Sequence, residues 1–212
     1  GKLEFCFEGT RMNQNQNGNR NEGLRENREA AGALQRLKEG NARFVSGEAL
    51  NLAHDAARRE ELATKGQRPY AFILTCSDSR VVPEFIFSAG LGELFVTRAA
   101  GNVLGNSILA SAQYAAQDLG VRLFLVLGHS DCGGVKATLS GEELSGALAH
   151  MGQRIRAGIG TETVALRAVE RNAKAEAADL ASCLHEYCPE LPLTVLSGVY
   201  DIRTGKVSFS EE

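Results

Sequence analysis

Four side chains in this sequence have the types and spacing to hold a metal ion. Cys76 and Asp78 stand two residues apart in CSDSR, and His129 and Cys132 stand three apart in GHSDCGG. Zinc accepts thiolate sulfur, imidazole nitrogen and carboxylate oxygen together, because its filled d shell imposes little geometric preference. A lone cysteine at a strand end is ordinarily a small buried hydrophobe, and a lone His-x-x-Cys is ordinarily incidental. Two such segments at neighbouring strand ends change that balance toward a metal site. Asp131 lies between two of the candidates and reads as a solvated turn carboxylate.

Arg80 sharpens the reading. A guanidinium two residues beyond Asp78 can take that carboxylate in a bidentate pair, which would leave zinc with three protein ligands and an open position. Water in such a position reaches a pKa of about 7 and supplies hydroxide at neutral pH. The plain alternative is a surface salt bridge. Gly128, Gly133 and Gly134 also suggest a phosphate loop, but that pattern needs Lys directly after its second Gly, and here Val135 precedes Lys136.

These segments need elements to position them. Tyr70 to Thr75 is an unbroken apolar and β-branched run after Pro69, the pattern of a strand buried on both faces, and it ends in Cys76. Similar runs occur at Leu94 to Thr97, Val121 to Leu127 and Leu193 to Leu196. Helical periodicity covers Leu24 to Val45, His54 to Lys65, Asn106 to Leu119 and Thr163 to Tyr187, with Gly66, Gly120 and Pro189 as stops. Alternating strands and helices predict an α/β fold: a mainly parallel sheet covered by helices, with Lys206 to Phe209 as an antiparallel edge strand and an N-terminal helical arm. In such sheets ligands bind beyond the carboxyl ends of the strands, where both unusual segments fall. Ser140 to Thr163 fits no motif.

CSDSRVVPE together with GHSDCGGVKA resembles the β-class carbonic anhydrases, a likeness that runs from about Gly40 to the C-terminus and includes NARFV at 41 to 45 and VYDIRTGKV at 199 to 207. The resemblance implies one zinc per subunit, with Cys76, His129 and Cys132 as permanent ligands. It implies that Asp78 pairs with Arg80 and either ligates zinc or hydrogen-bonds to its hydroxide. It further implies that Gly133 offers its backbone N–H to the substrate, that Gln67 hydrogen-bonds substrate, and that Phe95 and Tyr114 form aromatic pocket walls, often toward a neighbouring subunit's site. Read without the family, Gln67 is a turn polar residue and the two aromatics are core residues. The expected reaction is reversible hydration of carbon dioxide to bicarbonate and a proton by zinc-bound hydroxide. Alternatives are hydrolysis of carbonyl sulfide or carbon disulfide at the same zinc, and a closed structural zinc site that does no chemistry. Two departures stand out: Arg98-Ala99-Ala100-Gly101-Asn102 replaces the family's RNAGN, and the absence of Trp removes the usual form of an inhibitory bicarbonate pocket.

The whole chain sets outer bounds. Its 212 residues suffice for one sizeable core with appended segments, and 23 Lys and Arg against 26 Asp and Glu leave a formal charge of −3. No basic stretch interleaved with aromatics provides a footprint for nucleic acid, and no apolar run reaches the roughly 20 residues that span a bilayer. Five scattered cysteines do not form a secreted disulfide framework, so a reducing, cytoplasmic setting is expected. Cys183 and Cys188 read as buried thiols with a disulfide open to them; His54, His150 and His185 lack partner spacing, although His54 or His150 could relay protons. The expected organisation is a cloning remnant (1–11) plus a disordered Asn-rich segment, together 1–23, a helical arm at 24–66, and an α/β zinc catalytic domain at 67–212. With few apolar positions, the arm is expected to reach across a subunit boundary in a homodimer or homotetramer.

Overall fold

The computed structural model describes residues 20–48, 53–141 and 143–210, and the side chains from 29 onward within the first helix. The cloning remnant, Cys6 and most of the Asn-rich segment lie outside the described residues. Along the chain run α1 (Arg20–Ser46), α2 (Ala56–Lys65), β1 (Ala71–Thr75), α3 (Pro83–Ile86), β2 (Leu94–Arg98), a 3-10 turn (Ala100–Asn102), α4 (Asn106–Gln117), β3 (Leu123–His129), α5 (Gly133–Leu139), α6 (Ala147–Ile159), α7 (Ala165–Tyr187), β4 (Thr194–Tyr200) and β5 (Val207–Phe209).

The strands form one sheet in the order β2-β1-β3-β4-β5, parallel except for the antiparallel β4–β5 pair. The expected fold class therefore holds, including the edge strand at the C-terminal end of the described chain. Every residue of β1 and β3 is buried, as their uninterrupted apolar runs require. Alternation along β1 divides the core. Phe72 and Leu74 face α4 and α7 beside Phe124 and Leu180, while Ile73 faces α1 and α3 beside Leu37, Ile86 and Phe87.

The expected N-terminal helix is present. It starts at Arg20, four residues before Leu24, and its half from Ala30 onward is seated on its own sheet, with Ala30, Ala33 and Leu37 in the core. Sparse apolar positions suffice because small residues bring the helix close. A Cβ on Gly40 would lie 1.9 Å from the Phe87 carbonyl oxygen. Asn41 completes the anchorage, donating to the carbonyls of Ile86 (3.2 Å) and Gly205 (2.8 Å) and accepting from Val207 N–H (2.9 Å). The disulfide left open for Cys183 and Cys188 is not formed, and both thiols are buried.

The chain leaves β1 for β2 on one side, then crosses back to β3 on the other side of β1. The loops after β1 and β3 thus diverge and open a crevice at their carboxyl ends, the switch point where α/β sheets bind ligands. A third apolar cluster, containing Cys76, Val103, Cys132, Val135, Met151 and Ile155, lines that end of the sheet.

Candidate metal centre

Strand register brings the candidate ligands together. Thr75 of β1 pairs with Leu127 of β3, so Cys76 just past one strand lies beside His129 at the end of the other. Inside the sheet the Thr75 hydroxyl donates to the Leu127 carbonyl at 2.8 Å and ties the two ends. After His129 the chain turns sharply through Asp131, whose φ of 62° is left-handed, and returns Cys132 as the residue that opens α5. One ligand atom from each of Cys76, His129 and Cys132 falls within 4.8 Å of the others, and all three residues are buried.

The donor set fits a thiophilic cation. The ring Nδ1 of His129 is 2.9 Å from the Ser130 carbonyl, which can only accept, so Nδ1 carries the proton. That leaves the Nε2 lone pair facing inward, buried and with no hydrogen-bond partner. A buried unpaired nitrogen costs free energy unless something binds it, and a metal ion between it and two sulfurs would do so. The sulfurs already behave as a pair. The neighbouring Cys132 holds the Cys76 pKa down, while Cys76 and burial push that of Cys132 up. The Gly101 N–H adds a 3.4 Å contact to the Cys76 sulfur.

Asp78 stands apart from this trio. Arg80 grips it through Nε to Oδ1 at 2.9 Å, an Nη to Oδ2 at 2.6 Å and the backbone N–H to Oδ1 at 2.9 Å. These bonds hold the Asp78 carboxyl well below the usual carboxylate range. Its Oδ2 remains 4.0 Å from His129 Nε2, beside the cluster but committed to the guanidinium. Asp131 is not merely solvated: it takes the Lys136 ammonium and, at 3.3 Å, the remaining guanidinium nitrogen of Arg80, and these lower its pKa.

Several neighbours that sequence reasoning passed over hold the loops in place. Arg98 donates to the carbonyls of Cys76 (3.1 Å) and Asp78 (2.6 Å), a fork that only a strand-end arginine beside CSDSR would hint at. Ala99 replaces the family's Asn, and its backbone does the local bonding by itself: its N–H donates to Thr75 (3.1 Å) and its carbonyl accepts from Ser77 (3.3 Å). The DIRTG turn secures the other loop, since Ser130 N–H donates to Tyr200 (2.8 Å) and Ile202 N–H to the Ser130 hydroxyl (3.0 Å).

Three expected pocket residues are not at this end of their own chain. Gln67 is exposed and precedes β1, and Phe95 pairs with Phe72, four residues before Cys76 and roughly 13 Å toward the amino ends at about 3.3 Å per residue. Phe95 packs against Tyr114 with ring centres 6.1 Å apart, and Tyr114 is 47% exposed rather than core. Gly133, by contrast, directly follows Cys132 as the first residue of α5, where helix N–H groups lack intrahelical partners.

Comparison with known proteins agrees with this geometry. The family profile described as carbonic anhydrase matches residues 71–207. A carbonic anhydrase of Mycolicibacterium smegmatis is 47% identical over 127 residues, 58% of this chain and 61% of that protein, so the match spans about three fifths of the relative's length. One from Pseudomonas aeruginosa is 35% identical over 70% of this chain and 76% of its own. Among solved structures, tetrameric β-carbonic anhydrases of Sordaria macrospora superpose with a TM-score of 0.63 at 25% identity, covering 73% of this chain and 88% of theirs.

Proposed function

Since the chain belongs to the carbonic anhydrase family, β class, we propose that it hydrates carbon dioxide reversibly to bicarbonate and a proton at a zinc ion held by Cys76, His129 and Cys132. The observation that carries this reading is the orphaned His129 Nε2 facing two buried sulfurs while Arg80 holds Asp78 aside. A closed structural site would use Asp78 as a fourth ligand and has no need of a guanidinium that removes it.

Bound zinc would supply Lewis acidity, bringing a water in its open position to a pKa of about 7. The rest falls to the chain's own residues. Asp78, kept ionised by Arg80, is acceptor-only at neutral pH, so it takes a proton in a hydrogen bond and orients the attacking oxygen toward carbon dioxide. Arg80 thereby serves twice, fixing Asp78 and keeping it from the metal. The apolar surround of Val103 and Val135 suits an uncharged linear substrate and excludes bulk water. The Gly133 N–H, at the start of α5, would face the oxygen on which negative charge grows.

Catalysis is assigned to residues 67–212, with 24–66 as a helical arm. We assign Gln67, Phe95 and Tyr114 to the site of a neighbouring subunit, because their own cluster lies at the other end of the strands. A homo-oligomer follows, and the exposed Tyr114 beside edge strand β2 supports it. Among the described residues no helix is long and apolar enough to cross a membrane.

Stopped-flow hydration of carbon dioxide across pH, with zinc measured on the same samples and carbonyl sulfide run beside it, tests the assignment. Zinc-proportional hydration is expected. Turnover of carbonyl sulfide without hydration of carbon dioxide, or bound zinc without any turnover, would overturn it.

A further inference from the structure

One face of α7 touches both halves of the candidate metal centre. Val169 and Ala173 press on β3 just before His129: a Cβ on Gly128 would lie 3.1 Å from a Val169 methyl and 3.3 Å from that of Ala173. On the same face, Asn172 donates from Nδ2 to the Gly101 carbonyl at 2.9 Å, and Glu176, one turn on, accepts from the Leu104 N–H at 2.8 Å. The spacing 169, 172, 173, 176 is that of a single helical stripe. Both polar members are 1% exposed. Arg154 of α6 holds the Glu176 carboxylate and continues to Asp179 at 2.9 Å.

The segment thus gripped is strained. Gly101 and Asn102 adopt φ of 67° and 48°, consecutive left-handed residues of which the second is not glycine. A loop in that conformation needs outside contacts to persist, and its product is a single directed bond, the Gly101 N–H on the Cys76 sulfur. Burying an ionised carboxylate for stability alone is a poor use of a core position, because an apolar residue there would serve as well or better. Fixing an N–H that faces a metal-ligating sulfur does require it. Hydrogen bonds to ligand sulfur draw electron density from it and leave the metal a stronger Lewis acid.

We propose that Asn172 and Glu176 are positioning residues for the metal centre: from α7 they hold the 101–104 loop so that the Gly101 N–H stays on the Cys76 sulfur and tunes its donation to zinc. The inference rests on the zinc reading above.

The test compares the full-length wild type with Asn172→Leu, which keeps bulk and removes the donor, and Glu176→Gln, which keeps an acceptor for Leu104 N–H and removes the charge held by Arg154. Leu180→Ala, on the same helix but in the α4 side of the core, is the control for plain destabilisation. Cobalt-substituted protein gives a readout independent of turnover, the thiolate-to-cobalt charge-transfer band. Asn172→Leu is expected to shift that band, to weaken zinc in chelator competition by about 10- to 100-fold, and to move the midpoint of kcat/KM to higher pH. Glu176→Gln should do the same to a smaller degree. Leu180→Ala should lower Tm and leave band and midpoint in place. If the Asn172 and Glu176 variants lose only Tm, or if all three variants move the band alike, the inference is wrong while the zinc reading stands. A wild type that binds no metal and hydrates no carbon dioxide would instead sink the reading beneath it.

Discussion

Thr75→Val is a substitution of almost no change in shape that should be felt at the metal. Thr75 is fully buried, and its hydroxyl makes one 2.8 Å bond to the Leu127 carbonyl, between the strand that delivers Cys76 and the strand that delivers His129. Valine keeps the volume and removes the donor. A buried hydrogen bond contributes about 1 kcal/mol net, and leaving its acceptor short of a partner brings the loss to between about 1 and 3 kcal/mol. At about 1.4 kcal/mol per tenfold, a mid-range loss is roughly a 30-fold smaller folding constant. Thr75→Ser is the partner experiment, because it keeps the hydroxyl and gives up a methyl, a loss of about 0.8 kcal/mol or somewhat more. Urea unfolding at fixed protein concentration, followed by zinc competition with a chelator, reads both effects. The valine variant should show a lower midpoint with unchanged slope and hold zinc less tightly than the serine variant does. Should Thr75→Val match wild type in stability and zinc affinity, the hydroxyl does not tie the two strand ends, and the reasoning fails.

Removing the Arg80 side chain frees Asp78 to reach the metal. Arg80→Ala is therefore expected to retain zinc and lose most carbon dioxide hydration near neutral pH, whereas an equally active variant would mean that Asp78 needs no restraint. Glu162 accepts the N–H groups of Thr163 (3.0 Å) and Val164 (2.9 Å) and pairs with Arg167, whose bond is the main cause of its pKa falling to about 2. A depressed carboxylate stabilises the fold above its unfolded pKa of about 4.3 and ceases to as pH falls through the folded value. Glu162→Gln should thus lower Tm clearly at pH 7 and much less at pH 2, where the folded carboxyl is already about half protonated, and an equal loss at both would refute the assignment. Gly128→Ala places a methyl against Val169 and Ala173. It should destabilise by about 1–3 kcal/mol, with much of the loss recovered by adding Val169→Ala in a double-mutant cycle.

Much of this was readable before any coordinates, and the reasons are local. β1 and β3 are buried on both faces, so their residues are apolar up to the carboxyl ends, where Thr75 and His129 stand, and the strands announced themselves; glycine and proline marked the stops of α2 and α7. The metal trio was legible because sulfur and imidazole at strand ends are chemically conspicuous. What sequence reasoning missed depends on tertiary contact. The Ala147–Ile159 helix carries Gly152 and Gly158, poor helix formers, which are there because Leu144 and Ala175 pack where a side chain would be. Asn172 and Glu176 look like ordinary polar residues of an Ala-rich helix, and only the fold turns them toward Gly101 and Leu104. The sparse apolar positions of α1 also concealed that Gly40 and Ala33 let its later half sit on its own sheet. Whether Asp78 rests on Arg80 was equally beyond the sequence, since both arrangements use the same residues at the same spacing.

Zinc held by Cys76, His129 and Cys132 should account for all of the hydration. The most direct measurement strips the protein with a chelator, returns zinc in steps, and records carbon dioxide hydration by stopped flow against bound metal, with Cys76→Ala and His129→Ala treated alongside. Activity should rise in proportion to zinc up to one ion per chain, and the variants should lose zinc and hydration together. Full-rate hydration by zinc-free protein, or by His129→Ala, would contradict it.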